Sequence, residues 1–276
     1  ERISAGRSGS TRGREVWAGT FHGVCYLTLK GIAAAAGTKL PMLIADEDRQ
    51  RILLQHAAER EGVPIEADQK VRRRQMRELM GHVSRHRINT GLGMQGSLDP
   101  TIVRVAEAYA LELIADKTFD FDDLPLLAIK QLEGGESLPP RVEALRYVFV
   151  DEYHDVSAEQ ERFLNLIAPA NGPRQMMIVA DSDQAIYSWR GATLKPLENF
   201  RCTYEPRTLP LNINFRSTVN IVDVARAVMP SDRDGYDMVA APGAATGHEA
   251  VYRLYRDSQS EAQHVAQSVE NALTQG

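Results

Sequence analysis

The sequence predicts an α/β protein whose parallel sheet is interrupted by a helical insertion. The uninterrupted apolar run 147–150 is typical of a strand buried on both faces of a parallel sheet. A second such run, 175–180, follows it, and residues 158–168 between them have helical spacing. This alternation favours parallel strands with covering helices, whereas residues 38–116 show only helical patterns.

The first part of the chain is predicted to be mainly helical. Residues 1–14 are rich in Gly, Ser and Arg without apolar periodicity, which predicts a loop. A short strand over 16–20 leads into a buried helix, 21–36, that ends at Gly37. Further helices are predicted over 46–61, from Asp99-Pro100 onward, and over 121–132.

The last part of the chain continues the alternation of strands and helices. Residues 208–211 are predicted to form a third strand, and a helix follows over 217–229. Residues 251–255 have a strand pattern and residues 260–273 a helical one. The segment 232–247 has the composition of a loop.

The length of 276 residues predicts about two domains. Segments 1–37 and 117–204 are predicted to form one α/β domain, with residues 38–116 inserted into it as an all-helical subdomain. Residues 205–276 bring a new set of strand and helix patterns and are predicted to begin a second domain.

Composition and charge exclude several classes of protein. A hydrophobic fraction of 43% and a charged fraction of 25% exclude collagen and wholesale disorder. Apolar runs fall short of the roughly 18 residues that a membrane span requires. The net charge of −5 does not indicate a nucleic-acid binder, and the basic stretch 68–87 is either a phosphate-binding surface or a solvated helix face. Two cysteines, Cys25 and Cys202, exclude a disulfide framework and favour a reducing cytoplasm.

Two adjacent carboxylates follow the predicted strand 147–150. In open α/β sheets, ligands bind at the carboxyl ends of the strands. Asp151 is suited to Mg²⁺ beside nucleotide phosphates, and Glu152 is suited to deprotonating an attacking water. The alternative is that polar residues simply follow a strand where the chain enters solvent.

A polar loop with two aromatic residues follows the predicted strand 175–180. Gln184 is able to contact a terminal phosphate without carrying charge. The rings of Tyr187 and Trp189 offer faces for base stacking, which is worth about 1–3 kcal/mol per base. The alternative is that Trp189 belongs to the core.

A basic residue precedes the predicted helix 217–229. Ser217 or Thr218 is suited to capping that helix. Arg216 is placed to reach a phosphate, in the manner of an arginine finger from a second domain. The alternative is a surface ion pair, which contributes little to stability.

These motifs, in this order, resemble the UvrD/Rep-type superfamily 1 DNA helicases. The resemblance rests on Asp-Glu-Tyr-His-Asp at 151–155, Asp-Ser-Asp-Gln-Ala-Ile-Tyr-Ser-Trp-Arg-Gly-Ala at 181–192, Leu-Asn-Ile-Asn-Phe-Arg-Ser-Thr at 211–218, Gly-Thr-Phe-His-Gly at 19–23 and Phe-Asp-Phe-Asp-Asp-Leu at 119–124. It implies two RecA-like P-loop NTPase motor domains, ATP and Mg²⁺ as cofactors, and single-stranded and duplex DNA as partners.

The resemblance implies roles for five residues at the nucleotide. Asp151 would serve Mg²⁺, and Glu152 would be the catalytic base for ATP hydrolysis. Gln184 would sense the γ-phosphate, and Arg216 would be the finger from the second motor domain. Phe215 would stack on adenine, where the family more often has Tyr.

The resemblance also implies a set of DNA contacts. Thr20 and His22 would contact the DNA backbone. Tyr187 and Trp189 would touch single-stranded bases, and Arg190 would help couple the DNA site to the nucleotide site.

Three departures from the family pattern stand out. His154 replaces the usual Gln, at a position that links nucleotide and DNA contacts, and Ala180 replaces the common Gly. No P-loop, G-x-x-x-x-G-K-[ST], is present, and the nearest match, residues 31–39, has the pattern of a helix end. The chain is therefore predicted to be a fragment that begins after the P-loop and ends before the last two family motifs.

The predicted function is that of an ATP-dependent DNA helicase or translocase. The family resemblance implies 3′–5′ movement and a role in repair or recombination. The predicted location is the cytoplasm, with association with the nucleoid if the source is bacterial. Two alternatives are a non-catalytic module that binds nucleic acid or protein, and part of a helicase–nuclease fusion.

Overall fold

The computed structural model describes residues 16–38, 40, 43–185, 194–229 and 237–274. The chain divides into two compact units, Glu1–Pro206 and Arg207–Gly276. Both units combine helices with short parallel strand pairs, so the predicted α/β class is confirmed at this level. The predicted boundaries within the first unit, at 37/38 and 116/117, stay predictions.

The helices of the first unit are α1 (Phe21–Ala35), α2 (Glu47–Arg60), α3 (Gln69–Gly91), α4 (Pro100–Asp116), α5 (Asp123–Glu133), α6 (Pro140–Glu143), α7 (Ala158–Ile167) and α8 (Lys195–Tyr204). Its strands are β1 (Leu43–Ile44), β2 (Thr118–Phe119), β3 (Tyr147–Val150) and β4 (Gln175–Ile178). The first unit contains three consecutive helices between β1 and β2, and helices alternate with strands from α6 to α8. Within the described ranges, no helix is both long and apolar enough to cross a membrane.

Helices α1, α5, α7 and α8 pack with the β3–β4 strand pair around one hydrophobic core. Thr20 caps helix α1, and its Oγ1 accepts a hydrogen bond from the Gly23 N–H at 3.2 Å. The strand predicted over 16–20 is wrong, since these residues form neither strand nor helix. Helix α1 ends near Gly37, which has a φ of +68° that favours glycine. The buried residues of α1 recur at helical spacing: Cys25, Thr28, Leu29 and Ile32.

Strands β3 and β4 pair in parallel, with Tyr147 opposite Gln175 and Val150 opposite Ile178. One face of the pair packs on the core. The other face is exposed, since Phe149 is 72% exposed and Met177 53%. The predicted burial of strand 147–150 on both faces is therefore wrong for this chain, because the helices described cover only one face of the strand pair.

The segment 38–116 has a hydrophobic core of its own. Helices α2, α3 and α4 bury Leu54, Val83, Val105 and Tyr109 completely against one another. The prediction that this segment is all-helical is wrong at its start. Strand β1 lies near the start of this segment and pairs in parallel with β2, which directly follows α4. The chain therefore returns to the side of β1 before it continues into α5.

A buried charge cluster joins α3 to the start of α5. The Arg87 guanidinium donates to both Asp120 and Asp123 and lies 5.2 Å from the centre of the Tyr109 ring. Asp120 and Asp123 also accept each other's backbone N–H groups, at 3.1 and 2.9 Å. Burial, with the nearby Asp120 charge as a second cause, raises the pKa of Asp122 and of Asp123 to about 6.

We expect Asp122→Asn to stabilise the chain at pH 8. The gain is limited to about 1 to 2 kcal/mol, because the side chain keeps some contact with solvent. The folded pKa lies above the ordinary value, so the charged carboxylate destabilises the fold above pH 6. The gain should shrink as the pH falls through 6 and vanish below about pH 4. Urea unfolding of both proteins from pH 4 to 8 measures this, and a constant difference would contradict it.

The second unit contains α9 (Val219–Val228) and α10 (Ser258–Thr274) with a short strand pair, β5 (Ile213–Asn214) and β6 (Val239–Ala240). The helices predicted over 217–229 and 260–273 are therefore confirmed, apart from residues at their ends. The strands predicted over 208–211 and 251–255 are wrong, since both segments run without a strand partner. In the described part of this unit Val222 is the buried hydrophobic residue.

Candidate functional site

The predicted site begins where β3 and β4 end. Because the two strands are parallel neighbours, their carboxyl ends meet at one edge. The Val179 N–H donates to the Val150 carbonyl at 2.9 Å, and the Tyr153 N–H donates to the Val179 carbonyl at 2.8 Å. These two bonds hold the segments after β3 and after β4 side by side.

Asp151 and Glu152 lie in a tight turn directly after β3. Glu152 has a φ of +50°, a left-handed conformation that is uncommon for residues other than glycine. The Asp151 Oδ1 accepts the Glu152 N–H at 3.0 Å and stabilises this turn. Both residues are exposed, and the Glu152 side chain is 64% exposed, so its carboxylate faces solvent at the strand edge.

The structure places His154 inside this site. The residue is only 4% exposed, and its Nδ1 accepts the Asp181 N–H at 3.1 Å. Its Nε2 lies 3.5 Å from the Glu152 Oε2 and 3.9 Å from the Asp155 Oδ1. The sequence identified His154 only as a departure from a pattern, because its partner Asp181 is 27 residues away.

Asp181 and Gln184 form the matching turn after β4. The Asp181 Oδ1 accepts the Asp183 N–H at 3.0 Å, and its Oδ2 accepts the Gln184 side-chain N–H at 2.7 Å. Gln184 is exposed and oriented by this bond. Asp181 was not among the predicted site residues, although its position directly after an apolar strand run was a usable signal.

The oxygen ligands at the carboxyl ends of β3 and β4 suit Mg²⁺ bound together with a nucleotide. They do not suit a metal ion whose ligands are all protein side chains. In the described ranges no cluster of three or more His, Cys, Asp and Glu side chains is arranged to hold a metal ion. Mg²⁺ at nucleotides uses one or two carboxylates and takes its other ligands from phosphates and water. Asp151 fits that role, because it is exposed and its Oδ1 is engaged only by the neighbouring backbone.

Thr20 and His22 lie at the start of α1. The Thr20 hydroxyl oxygen already caps the helix, which leaves its O–H free to donate. The His22 ring makes an edge contact with Phe121 at 5.4 Å between ring centres. Burial lowers the pKa of His22, against the smaller opposing effect of Glu159, so the ring is neutral at pH 7. A neutral His22 is able to donate a hydrogen bond to a phosphate but adds no positive charge.

Phe215 and Arg216 lie in the second unit, directly after β5. The Asn214 Oδ1 accepts the backbone N–H of Arg216 at 2.9 Å and of Ser217 at 2.8 Å, which forms a side-chain-supported turn. Phe215 is 81% exposed. Thr218 is the residue that precedes α9, as predicted for its cap, but its side chain makes no capping bond there. The exposed ring and guanidinium are both available to a ligand.

The remaining predicted DNA contacts, Tyr187, Trp189 and Arg190, lie outside the described residues. The alternatives for Trp189, base stacking or core packing, therefore stay open.

The arginines of the basic stretch 68–87 do not all lie on one exposed surface. Arg87 is buried in its ion pairs, whereas Arg74 pairs with Glu78 on the surface at 2.8 Å.

Comparison with known proteins gives one family and several relatives. The family model for the UvrD/REP helicase N-terminal domain matches residues 1–205. The chain is 30% identical over 224 residues to the ATP-dependent DNA helicase PcrA of Leuconostoc citreum, covering 78% of this chain and 29% of that protein. It is 27% identical over 262 residues to PcrA of Staphylococcus epidermidis, covering 92% and 35%.

A mycobacterial relative matches in the same way. The chain is 27% identical over 279 residues to the ATP-dependent DNA helicase UvrD1 of Mycobacterium tuberculosis, covering 96% of this chain and 36% of that protein. The chain thus spans about a third of the length of these relatives. Residues Asp151, Glu152 and Gln184 lie within the range that the family model covers.

Proposed function

This chain belongs to the UvrD/REP helicase family, and on that premise we propose that it forms part of an ATP-dependent DNA helicase. The resemblance predicted from the ordered motifs is confirmed by this membership. One observation carries the proposal. The parallel β3–β4 pair brings Asp151 and Glu152 to the same edge as Asp181 and Gln184, which is where α/β proteins bind nucleotides.

Glu152 is proposed as the catalytic base. Its carboxylate projects into solvent at the strand edge, so a water molecule has access to it. A carboxylate oxygen is able to take the proton of that water as the water attacks a phosphorus atom. Asp151 is proposed to hold Mg²⁺, which supplies screening of the phosphate charge when bound.

Gln184 is proposed to contact the terminal phosphate. Its side-chain nitrogen has two N–H groups, and one of them donates to Asp181. The second N–H is left to donate to a phosphate oxygen. Because Asp181 holds the amide in place, this donor is oriented before a nucleotide arrives.

Phe215 and Arg216 are proposed to contact the nucleotide. An exposed aromatic ring is suited to stacking on adenine, and a guanidinium stabilises the charge that develops on transferring phosphoryl groups. Arg216 is exposed, which supports its availability.

A second group of residues is proposed to contact DNA. Thr20 and His22 are proposed to contact the DNA backbone as neutral donors, and Tyr187 and Trp189 to stack on bases. Arg190 is proposed to help couple the DNA site to the nucleotide site. Single-stranded and duplex DNA are the proposed partners, and the proposed direction of movement is 3′–5′. The proposed role is in repair or recombination, and the proposed location is the cytoplasm.

The proposed architecture follows the predicted boundaries. Segments 1–37 and 117–204 would form a RecA-like motor domain, residues 38–116 its inserted subdomain, and residues 205–276 the start of a second RecA-like domain. The separate hydrophobic core formed by α2, α3 and α4 supports an inserted subdomain. The parallel pairing of β3 with β4, and of β5 with β6, supports the two motor domains.

The proposal is tested by comparing the full-length gene product with the 276-residue chain. We expect the full-length protein to hydrolyse ATP and to be stimulated by single-stranded DNA. We expect no measurable hydrolysis from the chain alone, because its sequence contains no P-loop to cradle the phosphates. DNA-binding without hydrolysis by the full-length protein would favour a non-catalytic binding module instead. DNA-stimulated turnover by the isolated chain would contradict the expectation for the chain.

A further inference from the structure

We propose that His154 is a positioning residue that orients the Glu152 carboxylate and ties it to the turn after β4. The proposal rests on the proposed function, since it concerns the residue assigned there as the catalytic base. His154 itself is not expected to touch substrate, because it is 4% exposed and lies beneath the turn.

The hydrogen bond at Nδ1 of His154 determines which ring nitrogen carries the proton. A backbone N–H is always a donor, so the Nδ1 that accepts the Asp181 N–H must be unprotonated. The ring therefore carries its proton on Nε2. That N–H is the polar group nearest to the Glu152 Oε2, at 3.5 Å between heavy atoms.

The same ring faces three acidic residues, each from a defined direction. Glu152 and Asp155 lie on its own segment, at 3.5 and 3.9 Å from Nε2, and Asp181 presents only its backbone N–H from the end of β4. Glu152 is the nearer of the two carboxylates to the N–H. A distance of 3.5 Å is at the outer limit of a hydrogen bond, and such contacts often shorten when a substrate is bound.

Glu152 needs an external orienting group because its own segment gives it little. Its backbone is held in the left-handed turn, but the side chain is 64% exposed. Among the described residues His154 is the donor within reach of its carboxylate. One buried ring thus connects the proposed base to the backbone of Asp181, whose carboxylate in turn orients Gln184. Movement of either turn would be transmitted to the other through this ring.

The first test uses steady-state ATP hydrolysis by the full-length gene product in the presence of single-stranded DNA. His154→Phe keeps a planar buried ring but removes both polar atoms. We expect it to lower kcat about ten- to a hundredfold, as misplacement of a catalytic group does, with KM for ATP changed less than about threefold. His154→Gln keeps one acceptor and one donor, and we expect kcat within about threefold of wild type.

Tyr204→Phe is the matched control. It removes the partly buried hydroxyl that lies 2.6 Å from the Ala168 carbonyl oxygen and 2.9 Å from the Asn165 Oδ1, in the same core but without contact to Glu152. We expect its kcat to be unchanged. Equal losses in all three variants, or a normal kcat in His154→Phe, would overturn the proposal. An inactive wild type would instead overturn the proposed function, and with it this inference.

A second measurement does not depend on activity or on the stability of a variant. Long-range ¹H–¹⁵N NMR spectra of the 276-residue chain report the protonation of each histidine nitrogen, with His154→Gln to assign the signals. We expect a proton on Nε2 and none on Nδ1 at neutral pH. A His154 signal with the proton on Nδ1 would overturn the inferred orientation.

Discussion

Replacing Glu152 with Gln is expected to lower the kcat of DNA-stimulated ATP hydrolysis by about 100- to 10,000-fold, the range over which general bases contribute. The amide has the size of the carboxylate but is unable to accept a proton from water. Because the side chain is 64% exposed and the amide keeps an oxygen to face the His154 Nε2, the fold should be unaffected. Steady-state hydrolysis by the full-length gene product measures the effect.

The control for Glu152→Gln is Glu136→Gln, which removes an exposed carboxylate from the loop after α5. Its kcat should equal that of wild type. Nucleotide affinity should persist in Glu152→Gln, because the change removes a proton acceptor and not a phosphate ligand. A variant that keeps both normal folding and normal kcat would show that Glu152 is not the base.

Replacing Arg87 with Met is expected to destabilise the chain by about 3–5 kcal/mol, as loss of one partner of a buried ion pair does. The methionine fills the space of the aliphatic part, but Asp120 and Asp123 lose their counter-charge while they remain largely buried. The contact between the guanidinium and the Tyr109 ring is lost as well. Urea unfolding of the 276-residue chain at pH 8 measures the change.

The control for Arg87→Met is Arg74→Met on the same helix. Arg74 is exposed and pairs only with Glu78, so little change in stability is expected. Adding Asp120→Asn to Arg87→Met should recover part of the loss, because it removes one of the unpaired charges. Equal effects of Arg87→Met and Arg74→Met would show that the charge cluster does not join α3 to α5.

Several elements could be predicted because their signals are local. Helix α1 ends two residues before Gly37, which has a positive φ. Helix α4 begins with Pro100 after the capping Asp99, whose side chain accepts the Thr101 N–H at 2.8 Å. The apolar run 147–150 forms a strand as predicted. Such features depend on a few neighbouring residues, which are visible in any sequence.

Strand predictions failed where no partner was available. Residues 251–255 have an apolar pattern, yet Val251, Tyr252 and Leu254 are exposed and unpaired in the described structure. Conversely, Leu43–Ile44 becomes a strand because Thr118–Phe119 lies beside it. A strand is stabilised by hydrogen bonds to a neighbour distant in the chain, so its own residues do not determine it.

The sequence alone determined the family and the identity of the residues proposed at the nucleotide, Asp151, Glu152, Gln184 and Arg216, because ordered motifs are read directly from residue types and spacing. The tertiary structure alone decided how the first three are connected. It placed the buried His154 between Glu152 and the Asp181 backbone. The physical reason is that a hydrogen bond depends on distance and direction in space, and parallel pairing brings together strand ends that lie far apart in the chain.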